Sequence, residues 1–179
     1  MIYSTEDPQT AEQFARKILP LFGSKKFQII FEPGRFVAAN AGILVGRVLF
    51  IKQTKVKNFA ILDTGMGDLI RPALYGAHHE VWPLQKKDGA SKWMYDVVGP
   101  ICESGDFLAK DRYIPELQGG DYVAFMTAGA YGFVMSSNYN SRPRPAEVLV
   151  KGNRFEVVRK RESLQNLIAG ETVPAFLNP

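Results

Sequence analysis

Apolar positions at Ala11, Phe14, Ala15, Ile18 and Leu19 recur at helical spacing and predict an amphipathic helix from residue 9 to about residue 22. The polar start Ser4-Thr5-Glu6-Asp7-Pro8 supplies its caps, and Gly23-Ser24 ends it. Lys25-Lys26 leads into Phe27-Gln28-Ile29-Ile30-Phe31, an apolar run that reads as a buried strand cut off by Pro33. Helix, short loop and buried strand make an αβ unit of the kind found in parallel sheets. One such unit cannot stand alone as a domain, so it reads as the tail of something longer. Residues 36–41 predict a short helix stopped by Gly42, after which the pattern changes. Strand-like stretches at 42–57, 58–63, 96–99, 121–125, 146–150 and 154–158 are separated by Gly, Pro, Asp and Asn clusters. That alternation predicts an all-β barrel or sandwich. A short helix at 163–168 and a loose tail from Gly170 to Pro179 complete the chain. The expected division is 1–40 for the αβ remnant, 41–170 for the β domain and 171–179 for the tail.

Composition narrows the function classes more than the fold. With 179 residues, 46% hydrophobic and 22% charged, the chain fits one sizeable domain or a small domain with an appended piece. Much of the net charge of +4 sits at residues 141–161. There Arg142, Arg144, Lys151, Arg154, Arg159, Lys160 and Arg161 face only Glu147 and Glu156. The run fits a solvated strand face better than a nucleic-acid surface. The single cysteine excludes an internal disulfide and fits a reducing compartment. No apolar stretch spans a bilayer and the N-terminus lacks a signal-peptide pattern, so a cytoplasmic location and no membrane partner are expected. The two histidines, His78 and His79, are adjacent and cannot share a helical face, so no metal site is expected.

Four clusters carry candidate chemistry. In Glu32-Pro33-Gly34-Arg35, a carboxylate and a guanidinium flank a rigid turn where the expected strand ends. Gly34 permits a sharp turn or close approach to a ligand. The pair suits a ligand bearing both signs of charge, or simply a turn with a local ion pair. In Arg71-Pro72-Ala73-Leu74-Tyr75 the guanidinium and phenol are four apart and face the same way on a helical turn. That is a grip for a carboxylate, or a surface arginine packed on a tyrosine. Cys102-Glu103-Ser104-Gly105-Asp106 puts the lone thiol in an acidic turn, a setting that suits proton donation better than nucleophilic attack. In Gly129-Ala130-Tyr131-Gly132 small residues let a backbone approach a ligand while the phenol donates a hydrogen bond. A tyrosine at a helix–sheet contact fits the same pattern.

In this order the clusters resemble the C-terminal part of the diaminopimelate decarboxylases, pyridoxal-phosphate enzymes of the alanine-racemase-like fold type (fold type III). The first cluster is shared with ornithine and arginine decarboxylases, whereas the second and third are more particular to the diaminopimelate branch. The resemblance implies a C-terminal β-barrel or sandwich domain preceded by the last αβ unit of a truncated (β/α)8 barrel. It also implies conversion of meso-2,6-diaminopimelate to L-lysine and CO2. Glu32 would hold the cofactor's pyridine nitrogen, and Gly34 and Arg35 would lie near its phosphate. Arg35, Arg71 and Tyr75 would bind the substrate's distal carboxylate and Glu103 its distal ammonium. Tyr131 would reach both cofactor and substrate, and Cys102 would return a proton to the reacting carbon. The cysteine loop would cross to the active site of a second subunit, giving a homodimer. No lysine here lies in a context matching the cofactor lysine, and the glycine-rich phosphate loop is missing. The chain alone is therefore expected to be a catalytically silent piece of a longer enzyme. A non-catalytic β module that binds a protein or nucleic-acid partner is the other reading.

Overall fold

The structure, a computed structural model, describes residues 7–23, 28–86 and 89–177. The expected cap residues Ser4, Thr5 and Glu6, the Lys25-Lys26 lead-in and Phe27 lie outside them. Helix α1 (Ala11–Phe22) starts from a capping box. Thr10 Oγ1 accepts from the Gln13 amide at 3.1 Å, and Gln13 Oε1 accepts from the Thr10 amide at 2.9 Å. The cap is thus Thr10, not the residues up to Pro8. The apolar face of α1 stays open to solvent. Phe14 meets Phe31 edge-on with ring centroids 6.0 Å apart, and these rings, Ile18, Leu19 and Phe36 line an apolar hollow.

Residues 28–31 do not form the expected strand. A strand needs a neighbour to take up its amides and carbonyls, and the strands among the described residues begin only at Leu44. Ile30 and Phe31 are correspondingly exposed. Helix α2 (Gly34–Ala38) and a 3-10 turn (Ala39–Ala41) follow, so the short helix opens two residues earlier than expected.

The β domain is built from β1 (Leu44–Gln53), β2 (Asn58–Leu62), β3 (Val81–Pro83), β4 (Lys92–Val98), β5 (Phe107–Pro115) and β6 (Tyr122–Phe125). They form one six-stranded sheet in the order β3-β6-β1-β2-β4-β5. All pairs are antiparallel except β2 with β4. The edge strands β3 and β5 pack on each other, which curls the sheet into a nearly closed barrel. Val48, Leu62, Tyr95, Val97, Leu108 and Phe125 fill the interior, and the Tyr95 hydroxyl accepts from the Leu117 amide at 3.3 Å. Between β2 and β3 lies the one-turn helix α3 (Arg71–Tyr75), with Pro72 in its first turn and Gly76 closing it at φ 60°.

A separate hairpin, β7 (Glu147–Lys151) with β8 (Arg154–Arg159), lies within the basic run and carries Lys151, Arg154 and Arg159 of it. All of β8 is exposed, in keeping with a solvated face. Its charges are better paired than the sequence suggested: Glu147 takes Arg159, and Glu162, outside the run, takes Arg144. The last helix, α4 (Leu164–Leu167), is capped by Ser163 in a capping box with Asn166.

Candidate functional site

Two clusters form at the rim of the barrel. The first joins α2, the loop after β6, and α3. The Gly129 amide donates to the Ala39 carbonyl at 3.0 Å, and the Ala128 amide donates to the Gly42 carbonyl at 2.8 Å. The backbones are so close that a Cβ on Gly129 would stand 2.1 Å from the Ala38 carbonyl oxygen. This clasp pins the segment carrying Glu32, Gly34 and Arg35 to the loop that carries Tyr131. Glu32 and Arg35 are exposed. Where a Cβ would sit on Gly34 there is open space, and its φ is not positive, so its missing side chain serves neither a tight contact nor a left-handed turn.

Tyr131 sits at φ 58°, a left-handed conformation uncommon for a bulky side chain. Its ring lies 5.7 Å from the Arg71 guanidinium carbon, within cation–π range. Arg71 is buried although it opens a surface helix, whereas Tyr75 at the other end of α3 is 63% exposed. The sequence therefore placed both on one helical turn correctly, but only the guanidinium is drawn into the protein.

Beside the guanidinium lies His79, to which the sequence pattern assigns no role. His79 is fully buried. Its Nδ1 is 2.9 Å from the Met126 carbonyl oxygen and its Nε2 is 3.3 Å from Arg71 Nη1. A carbonyl only accepts and a guanidinium only donates, so Nδ1 carries the proton and Nε2 offers its lone pair. Burial pushes the imidazole below its ordinary value, and the nearby charges of Arg71, His78 and Arg112 push the same way against the Met126 bond. The one usable signal in the sequence is a histidine two residues ahead of the Val81–Pro83 strand.

The second cluster holds the cysteine loop. Asp106 is buried and accepts from the amides of Met66 and Ile101, each at 2.6 Å. Desolvation raises its carboxyl above the ordinary range despite these donors. A Cβ on Gly99 would stand 2.3 Å from the same carboxylate, so loops 64–68 and 99–106 are sewn together. Cys102 is exposed at their edge. Glu103 Oε2 accepts from the Tyr139 hydroxyl at 3.2 Å, and that bond holds the phenol's titration above its usual value. Tyr139 is the second residue missed by sequence.

The strap bearing Tyr139 is fixed in turn by Glu162, which accepts from Asn138 Nδ2 at 2.6 Å and from Arg144 Nε at 2.8 Å. Arg144 holds the Glu162 carboxyl down to about 2 from an ordinary 4.5. Because the folded value is depressed, the contribution is present above pH 4.5 and is lost as pH falls toward 2. The urea midpoint of the wild type is expected to lie above that of Glu162→Gln at pH 7, by an amount tempered by solvent screening, and the difference to shrink as pH falls from 4.5 toward 2. A constant gap across that range would contradict the pairing.

The model of the family described as "Pyridoxal-dependent decarboxylase, C-terminal sheet domain" matches residues 2–129. The chain belongs to this family. Among curated relatives it is 51% identical over 174 residues to the diaminopimelate decarboxylase of Vibrio cholerae, covering 97% of this chain and 41% of that protein. It is 52% identical over 171 residues to that of Pseudomonas aeruginosa, covering 96% and 41%. The crystal structure of diaminopimelate decarboxylase from Helicobacter pylori complexed with L-lysine superimposes with a TM-score of 0.86 at 40% identity, covering 93% of this chain and 41% of that one. The chain thus spans about two-fifths of the length of the relatives it matches. Among pyridoxal-dependent decarboxylases its fold is the C-terminal sheet domain, as the resemblance implied. A free-standing binding module gains no support.

Proposed function

We propose that this chain is the C-terminal part of a pyridoxal-phosphate-dependent decarboxylase that converts meso-2,6-diaminopimelate to L-lysine and CO2. The observation that carries the reading is the buried Arg71 guanidinium beside Tyr131, on the loop clasped to the segment bearing Glu32, Gly34 and Arg35. Relatives at about half identity bear the same activity in their names. In this reading residues 1–40 complete a barrel supplied by the rest of the enzyme, residues 41–170 form the β domain and 171–179 a tail. The open apolar face of α1 and the absence of a strand at 28–31 agree with a segment that takes its partners from outside this chain.

The residues fit pyridoxal 5'-phosphate by the chemistry of their donors. Glu32 offers a carboxylate for a protonated pyridine nitrogen, Arg35 a guanidinium for a phosphate, and Tyr131 a phenol donor. The open space at Gly34 leaves room for a ligand to approach the backbone. When bound, the cofactor supplies the electron sink that makes loss of CO2 feasible. The rest is done by side chains of the chain. Arg35, Arg71 and Tyr75 bind the distal carboxylate of the amino acid and Glu103 its distal ammonium. An analogue lacking the distal carboxylate leaves the buried Arg71 guanidinium without its anionic partner, and one lacking the distal ammonium leaves Glu103 without its cation, which selects for a substrate with a second amino-acid head. The Cys102 thiol delivers a proton to the carbon that has lost its carboxylate. Cys102 and Glu103 act in the site of a second subunit of a cytoplasmic homodimer.

The full-length enzyme is expected to release CO2 from meso-2,6-diaminopimelate with L-lysine as product, and the 179-residue chain alone to release none. A full-length enzyme that decarboxylates ornithine or arginine and leaves diaminopimelate untouched would overturn the assignment.

A further inference from the structure

We propose that His79 is a positioning residue for Arg71, holding the guanidinium in the orientation that receives the distal carboxylate of the amino acid; the inference rests on the substrate reading given above. Arg71 begins a single helical turn, which by itself fixes a long flexible side chain poorly. The neutral imidazole bridges the Met126 carbonyl at 2.9 Å and Arg71 Nη1 at 3.3 Å. Met126 immediately follows β6, and its own amide donates to the Glu80 carbonyl at 2.9 Å, so the bridge is anchored in the sheet. The guanidinium carbon also lies 5.7 Å from the centroid of the Tyr131 ring. A sheet-anchored acceptor and a neighbouring aromatic ring together leave the cation few orientations before the substrate arrives. Preorganisation of that kind strengthens binding without adding a contact to the ligand. The charged groups around the imidazole, Arg71, His78 and Arg112, all disfavour its protonation. It therefore stays an acceptor toward Arg71.

The test uses the full-length enzyme loaded with cofactor and two probes, L-lysine and 1,5-diaminopentane, which is lysine without its carboxylate. His79→Leu is expected to weaken L-lysine binding about 10- to 100-fold while leaving 1,5-diaminopentane within about threefold. His79→Gln, whose amide oxygen overlays Nε2 and still accepts from Arg71, is expected to stay within about threefold of the wild type for both, whereas His79→Asn, which overlays only Nδ1, behaves like His79→Leu. KM for diaminopimelate should rise more than kcat falls. If both probes weaken equally, or His79→Gln loses lysine as His79→Leu does, the histidine is merely structural and the inference fails. Arg71→Met keeps the two readings apart. Lysine binding lost in Arg71→Met but kept in His79→Leu overturns the inference alone, and lysine binding unchanged in Arg71→Met overturns the site on which it rests.

Discussion

Replacing Gly129 by alanine is expected to destabilise the protein by about 3 kcal/mol, because the added methyl group has no space to enter. A Cβ there would stand 2.1 Å from the Ala38 carbonyl oxygen and 2.7 Å from the Gly42 nitrogen. Both neighbours are main chain, so no rotamer change relieves the overlap. The backbone has to part, and the bonds from Gly129 to Ala39 and from Ala128 to Gly42 go with it. The segment carrying Glu32 and Arg35 would then lose its hold on the Tyr131 loop. Cofactor affinity and denaturant midpoint are expected to fall together in Gly129→Ala. Gly34→Ala is the contrast. Its position faces open space at an ordinary φ, at the first residue of a helix, where an alanine methyl meets no neighbour. Stability is expected to hold in Gly34→Ala, so a loss of cofactor affinity there reports a ligand near the backbone. An unfolding midpoint in Gly129→Ala equal to that of the wild type would show that the two segments are not clasped.

The fold was legible wherever a segment carries its own pattern. The spacing of Phe14, Ile18 and Leu19 defines α1, and the β-branched runs before Gln53 and Leu62 define β1 and β2. β5 was missed because Lys110, Asp111 and Arg112 interrupt its middle, the ends alone are buried, and Asp111 takes φ 52°. Its strand character comes from pairing with β4, which no local pattern reveals. β3 is only three residues long. The opposite failure occurred at Ile29-Ile30-Phe31, an apolar run with strand composition but no ladder among the described residues. Composition proposes a strand, and a neighbour is required to make it one.

The site divides in the same way. Arg71, Tyr131 and the Glu32–Arg35 motif were visible because charged and aromatic groups stood among glycines and prolines at element ends. His79 was not, because its importance lies in what Met126 and Arg71 do with its two nitrogens, and they are 47 and 8 residues away. Tyr139 is likewise 36 residues from Glu103. Residues that hold other residues leave little trace in sequence, since their role is set by contacts across the fold.

Mixing two inactive variants is the most direct test of the central claim, that the clusters of two copies complete one amino-acid site. Arg71→Met and Cys102→Ala enzymes are each expected to lose diaminopimelate decarboxylation by at least about 100-fold. When their subunits are exchanged by dissociation and reassociation, half of the dimers are hybrids. If Cys102 acts in the neighbour's site, one site in each hybrid carries both substitutions and the other carries neither. About a quarter of wild-type activity should then return. If Cys102 serves the same subunit as Arg71, every site in the hybrid keeps one defect. A mixture as inactive as its parents would contradict the shared site.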